Sequence, residues 1–392
     1  MQLEHFHHSP AFAIIAPCLQ EEPPYLLSHA KKPVLIMRNK TTKKPTKKPL
    51  QNMENEKQDN EETIAKYGEL VLSLPKERGW MTQHLVQYQG FWLSPACAFK
   101  GAPLLHQHFH ARPSDIFLAT FQKSGTTWLR ALMFATMNRA LHDVSSDQYP
   151  LLTTGPHDCF PFLDAYIHQT DSISHLNSRP ILSHDASPEL FSTHMPYALL
   201  PKSVTASSSG CRFVYVCRNP KDVLVSKWIF MNKMRPKQLA PLSLQEAYDL
   251  FCQGVSHYGP FWDHVLGYWK ASLEFRDKIF FLKYEDLKKD PFVHLKRFAE
   301  FLGQPFSLEE ERKGVVQEII KLCSFENLSH LEVNKTKVQW FSSQLVVKNS
   351  FFRKGQVGDW KNYFTDEMAR RLDQITDDKF NASGLTFGPA AE

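Results

Sequence analysis

The chain has 392 residues, 42% of them hydrophobic and 12% aromatic, with a formal net charge of +5. That length can bury one large core or two modest ones, which places the chain among globular proteins, and so mild a positive balance fits small anionic ligands as readily as the concentrated basic face of a nucleic-acid binder. Seven cysteines, an odd number without C-x-x-C pairs, argue against a disulfide framework or a structural zinc site and fit a reduced compartment.

AFAIIAPCL near the start is broken by Pro17 and preceded by histidines, and it falls short of the roughly 20 apolar residues a bilayer span requires. A basic, proline-broken run, RNKTTKKPTKKP from Arg38 to Pro49, is followed by the acidic NMENEKQDNEET. Neither carries a sustained apolar period, so residues 1–60 are expected to be a disordered extension. A solvated tail, or an over-read of a chain beginning at Met53, is preferred over a targeting or nucleic-acid signal. The protein is expected to be soluble and cytoplasmic, with no nucleic-acid or membrane partner.

Farther along, strand-length apolar runs occur at DIFLAT (Asp115 to Thr120), LFSTH (Leu190 to His194), RFVYVC (Arg212 to Cys217) and KIFFLKY (Lys278 to Tyr284). Helix-period segments follow several of them. WLRALMFATMNRAL places Leu129, Leu132, Met133, Thr136 and Met137 on one face; SLQEAYDLFCQGV opens with Ser243 as cap and Glu246 three later; DPFVHLKRFAEFLG carries Pro291 in its first turn and closes on Gly303. Strands alternating with helices predict an α/β fold, a parallel central sheet flanked by helices, with ligands beyond the carboxyl ends of the strands.

FQKSGTTW sits at one such end. If DIFLAT is a strand and Trp128 begins a helix, then Lys123, Ser124, Gly125, Thr126 and Thr127 form the turn between them. The free N–H groups and dipole of a helix start attract an anion there, Gly125 lets the backbone come close, the hydroxyls add donors and Lys123 adds a mobile charge. An ordinary capped turn would read the same way. A second strand end carries CRNPKDVLVS, where Arg218 and, two helical turns on, Ser226 can face one crevice. A third element, RKGQVGDWKNYFT from Arg353 to Thr365, combines two cations, two glycines and an Asp359 placed to cap a helix. Three basic turns in one α/β chain suggest a ligand with phosphate at two ends. HQHFH puts His106, His108 and His110 on one face if extended. Without thiolate or carboxylate company they read as surface histidines, and no metal is expected.

In this order and at these separations, FQKSGTTW, CRNPKDVLVS, KYEDL and RKGQVGDWKNYFT resemble the cytosolic sulfotransferases. SLPKERGW, YQGFW, HARPSD and THMPYALLP point to the plant branch, and the resemblance runs from about residue 65 to the C-terminus, a single domain over residues 65–392. It implies a P-loop-like phosphosulfate-binding loop and transfer of a sulfuryl group from 3'-phosphoadenosine 5'-phosphosulfate (PAPS) to a hydroxyl of a small molecule such as a flavonol, steroid, hydroxyjasmonate or phenol. Lys123 to Trp128 would surround the 5'-phosphosulfate and adenine. Arg218 and Ser226 would hold the 3'-phosphate, Arg353, Lys354 and Gly355 would close on it from the other side, and Tyr284 and Phe325 would meet the adenine. His194 in FSTHMP matches the family's general base, and Lys123 is the candidate cation for the leaving oxygen.

Three departures from the family pattern stand out. Gln122 replaces the proline that usually precedes the loop lysine. Ser192 stands where many animal members carry a lysine. Asp366 and Arg370 interrupt the dimerisation signature that Lys361 and Thr365 begin, so a monomer or weak homodimer is expected. The alternatives are a P-loop nucleotide kinase, whose G-x-x-x-x-G-K-[ST] loop is missing, and a non-catalytic adenosine-bisphosphate binder. CFPFLDAY (Cys159 to Tyr166) and HYGPFW (His257 to Trp262) are candidate linings for an acceptor pocket, although aromatic runs are more often core.

Overall fold

The structure is a computed structural model that describes residues 68–95, 97, 101–164, 189–341 and 344–387. The tail expected over residues 1–60 lies outside the described residues. Among the described residues, the sheet nearest the N-terminus is antiparallel and has three strands, β1 (Lys76–Arg78), β2 (His84–Tyr88) and β3 (Phe91–Leu93). Backbone bonds tie β3 to the HYGPFW segment: the Trp92 N–H donates to the Gly259 carbonyl and the Tyr258 N–H to the Trp92 carbonyl, both at 2.7 Å.

All four apolar runs form strands of one parallel sheet: β4 (Ile116–Thr120), β5 (Leu190–Thr193), β6 (Arg212–Cys217) and β7 (Ile279–Lys283), in the order β5-β4-β6-β7. The sequence could announce them because a parallel strand covered on both faces is a continuous apolar run, and every residue of β4 is buried. Phe117 and Ala119 face a core built with the helices Pro220–Met234, Leu244–Cys252 and Phe261–Glu274. Ile116 and Leu118 face a second core with Thr126–Asn138, Pro291–Phe301 and Val315–Leu322. Phe117 stacks between Phe191 and Phe213, with ring centroids 5.3 and 5.1 Å away. Burying a ring of that size contributes about 1.5–3 kcal/mol. A last two-stranded sheet pairs β8 (Val338–Phe341) with β9 (Gln344–Val347).

Helix starts follow the expected signals. Ser243 and Glu246 form a reciprocal capping box, Asp290 caps the helix whose first residue is Pro291, and Asn219 caps the one starting at Pro220. Two expectations differ. The loop helix begins at Thr126, two residues before Trp128, because Gly125 turns the chain at φ 109 and serves as its N-cap. HQHFH is not extended, for a helix spans Ala102–His108 with Pro103 in its first turn, and the imidazole of His106 reaches the Leu199 carbonyl at 3.1 Å.

Chain crosses from β5 on one side of β4 to β6 on the other, so the crevice beyond β4 is the topological switch point of the sheet. The registers Ala119↔Thr193, Thr120↔Val216 and Cys217↔Lys283 bring the four carboxyl ends to one edge. Lys123 follows β4 by three residues, and His194, Arg218 and Tyr284 come immediately after β5, β6 and β7. Four separate sequence motifs thereby become one site.

Candidate active site

The loop after β4 has two left-handed residues in three, Lys123 at φ 72 and Gly125 at φ 109. For lysine that conformation costs about 1–2 kcal/mol, which surrounding contacts must hold. A Cβ on Gly125 would come within 2.7 Å of the Tyr284 ring, so only glycine allows the loop to lie on that ring. The Thr126 hydroxyl bonds to the Thr120 hydroxyl at 2.7 Å, and the Thr127 hydroxyl to His157 Nε2 at 3.0 Å. Ser124 Oγ is buried and has no protein partner. Of the three loop hydroxyls, two are therefore occupied in fixing the turn.

Lys123 holds its Nζ 3.9 Å from the centre of the Phe230 ring. Burial, followed by the positive charges of Arg353, Arg218 and Lys233, pushes its pKa down to about 7. Cations gathered so closely without a matching number of carboxylates form a pocket that an anion stabilises.

Arg218 lies with its guanidinium 4.5 Å from the Tyr284 ring centre, donates to the Gln356 carbonyl at 2.5 Å and faces Asp222 at 3.4 Å. Its Nε is buried and unpartnered. Ser226 follows Asp222 by one more turn of the same helix and is also buried. On the opposite wall Arg353 and Lys354 both pair with Asp359, the latter at 2.6 Å, and Arg353 Nε has no partner. Asp359 is thus not a helix cap. Gly358 precedes the short 3-10 turn Asp359–Asn362, and the Asp359 carboxylate is drawn to the two cations and to Asn362 Nδ2 at 2.9 Å. A Cβ on Gly355 would come within 2.5 Å of Phe325, which therefore lies directly on this segment, and the Tyr284 hydroxyl donates to the Gly355 carbonyl at 3.1 Å. Tyr284 is the hub here, buried between Gly125, Arg218, Trp128 and Gly355, whereas Trp128 and Phe325 are half-buried.

His194 follows β5 with its Nδ1 2.7 Å from the Thr120 carbonyl and 3.1 Å from the Thr120 hydroxyl. A carbonyl oxygen only accepts, so Nδ1 carries the proton and Nε2 keeps the lone pair. Burial outweighs the Thr120 bond and pushes the imidazolium pKa down to about 3, leaving the ring neutral. Phe162 and Tyr258 flank it, with ring centroids 4.7 and 5.7 Å away. Each comes from one of the two aromatic runs singled out in the sequence. Phe261 and Trp262 of the second run belong instead to the core, and Ala165 and Tyr166 of the first lie outside the described residues.

Several supporting residues escaped the sequence reading. Asp164, buried, accepts from the Thr193 hydroxyl at 2.6 Å and from the His194 N–H at 2.9 Å, so it fixes the backbone that carries the imidazole. Asp222 accepts from the Gly358 and Trp360 N–H groups at 2.8 and 3.2 Å and ties the Arg353 segment to the Arg218 helix. Arg130, fully buried, bonds to Ser192 and to the carbonyls of Pro156, His157 and Phe160. The position where animal relatives are expected to carry a lysine is thus filled by a serine that bonds an arginine from the loop helix. Arg130 and Asp164 showed in the sequence only as charged letters inside apolar runs, and Asp222 only as one charge at the polar start of CRNPKDVLVS.

A family model described as the sulfotransferase domain matches residues 113–384. Cytosolic sulfotransferase 15 of Arabidopsis thaliana is 44% identical over 334 residues, 84% of this chain and 89% of its own. Flavonol 4'-sulfotransferase of Flaveria chlorifolia is 45% identical over 325 residues, 81% of this chain and 96% of its own. The crystal structure of mouse sulfotransferase SULT7A1 complexed with PAP superposes with a TM-score of 0.54 at 28% identity, covering 76% of this chain and 96% of that one.

Proposed function

The chain belongs to the sulfotransferase family, among the plant cytosolic members, and is a PAPS-dependent enzyme that moves a sulfuryl group to a small-molecule hydroxyl; on that premise we propose that His194 is its general base and Lys123 its leaving-group cation. The observation that carries the donor-site reading is that three of the buried side-chain donors without protein partners, Ser124 Oγ, Arg218 Nε and Arg353 Nε, belong to the three basic turns. Unpaired buried donors are costly, and these three stand at the positions where the donor's two phosphate ends would lie. The loop from Lys123 to Thr127 would receive the 5'-phosphosulfate. Arg218, Ser226, Arg353, Lys354 and Gly355 would receive the 3'-phosphate, for which Arg353 and Lys354 exchange their bonds to Asp359. Trp128 and Phe325, half-buried, would flank the adenine, with Tyr284 supporting them from behind.

During transfer the acceptor hydroxyl gives its proton to His194 Nε2 as its oxygen forms the bond to sulfur. The bond from sulfur to the bridging phosphate oxygen breaks, and its electron pair stays on adenosine 3',5'-bisphosphate. Lys123 meets the charge that grows on that oxygen, an interaction stronger in the transition state than before it. The acceptor would lie against Phe162 and Tyr258, beside His194, which favours an aromatic or otherwise apolar alcohol such as a flavonol, steroid or simple phenol. Names of the relatives support a flavonol-like acceptor and residence in the cytosol. Among the described residues no helix is long and apolar enough to cross a membrane.

We assign residues 65–392 to the catalytic domain and 1–60 to an extension outside it, no metal to the chemistry, and a monomer or weak homodimer to the assembly. Thr365 caps the helix Asp366–Phe380, accepting from the Met368 N–H at 3.2 Å, which commits one residue of the interrupted dimer signature to a local task. Titration with adenosine 3',5'-bisphosphate in the absence of magnesium tests the reading. Tight binding supports it, and a preference for magnesium-ATP would overturn it in favour of a kinase.

A further inference from the structure

Lys227, one residue past Ser226, is wholly buried. Its Nζ donates to Gln122 Oε1 at 2.9 Å and to the His257 carbonyl at 2.7 Å, and it lies 4.3 Å from the centre of the Phe121 ring. Neither oxygen is charged, and burial together with Lys123 pushes the amine well below its ordinary pKa. An amine so placed is expensive, and a methionine would fill similar space at lower cost. What it adds over methionine is direction: two fixed bonds to two different loops.

Each of those bonds ends one residue before a strained turn at the reacting centre. Gln122 precedes Lys123, at φ 72, and His257 precedes Tyr258, at φ 64; among the described residues only Gln89 shares a positive φ without being glycine. Lys123 is the leaving-group cation in the reading above, and the ring of Tyr258 stands 5.7 Å from that of His194. We propose that Lys227 is a positioning residue that braces the donor loop and the acceptor-side loop against each other, with Gln122 as its dedicated partner in the donor loop. The departure at Gln122 from the family's proline is then compensated: the loop gives up a ring that restricts its backbone and is held by a side-chain bond to a buried lysine instead. Gln122 and Lys227 form one unit.

This inference rests on the assignment of Lys123 and His194, and the test separates the two. Wild type, Lys227→Met, Gln122→Met and the double variant are compared for kcat and donor KM with PAPS and a phenolic acceptor, with melting temperature recorded for each. Either single substitution is expected to lower kcat by about tenfold, the scale of a slightly misplaced reacting group. The double variant is expected to lose no more than the worse single one, because both break the same bond. Losses that multiply in the double variant, or a fall in melting temperature with kcat and KM unchanged, would overturn the brace. If Lys227→Met does not fold, Gln122→Met decides the matter: it removes the same bond, and an unchanged kcat would overturn the proposal. A wild type without PAPS-dependent transfer would instead overturn the assignment of the site itself.

Discussion

The Nδ1–H of His194 is donated to the Thr120 carbonyl at 2.7 Å, which couples the imidazole at the end of β5 to the last residue of the neighbouring strand β4. The bond between neighbouring strands therefore sets the tautomer and leaves Nε2 with its lone pair, the atom that takes the acceptor's proton in the proposed reading. With a pKa pushed down to about 3 by burial, the free enzyme's imidazole is already neutral across the working range. Nitrogen-15 spectra of ring-labelled protein are expected to report the Nδ1–H tautomer and no protonation of His194 down to pH 5. A midpoint near the ordinary value of about 6.5 would contradict this environment.

Lys123 gives the donor site its own pH dependence. Its pKa of about 7 reflects burial and the neighbouring cations, and a bisphosphate bound beside it is expected to favour the charged form. Below pH 7 the amine is charged in both free and bound enzyme, so affinity does not change on its account. Above pH 7 binding takes up a proton, and bisphosphate affinity is expected to fall by up to about tenfold per pH unit. Calorimetry in buffers of different ionisation enthalpy measures that proton directly, and the dependence should vanish in Lys123→Met.

Arg218→Ala removes a guanidinium stacked on Tyr284 whose Nε awaits a partner. Bisphosphate binding is expected to weaken by about 1.5–3 kcal/mol, the worth of a hydrogen bond to a charged group. An unchanged dissociation constant would remove Arg218 from the site.

Gly355 and Gly358 separate strain from contact. Both have positive φ, 63 and 84, yet a Cβ on Gly355 would come within 2.5 Å of Phe325 whereas one on Gly358 would meet nothing within 4 Å. Each alanine variant carries the backbone cost of about 1–2 kcal/mol, but only Gly355→Ala displaces the ring expected to flank adenine. Its bisphosphate affinity is expected to fall about tenfold below that of Gly358→Ala, as titration would reveal. Equal affinities would mean that Phe325 does not contribute to binding.

The sheet and the motifs at its strand ends were legible because both are local. β4 to β7 are short apolar runs, and Lys123, His194, Arg218 and Tyr284 follow them at fixed offsets. What the sequence hid is the pairing of those motifs with distant polar residues. Asp164 reaches His194 across 30 positions and Gln122 reaches Lys227 across 105, and no periodicity signals either bond. Asp359 misled for a related reason: in the sequence it stands where a cap would, but it is the first residue of the turn Asp359–Asn362, and two nearby cations compete more strongly for its carboxylate than a backbone N–H does. Gln122 stood out in the sequence only as a missing proline, because its partner Lys227 lies far along the chain on the helix Pro220–Met234.

Transfer of labelled sulfate from PAPS to a phenolic acceptor, measured for wild type and His194→Gln alongside bisphosphate binding, tests the assignment of the base most directly. The account predicts that the variant loses transfer by at least about a hundredfold, the usual contribution of a positioned base, while its bisphosphate affinity stays within about twofold of wild type. Retained transfer, or equal loss of transfer and binding, would contradict it.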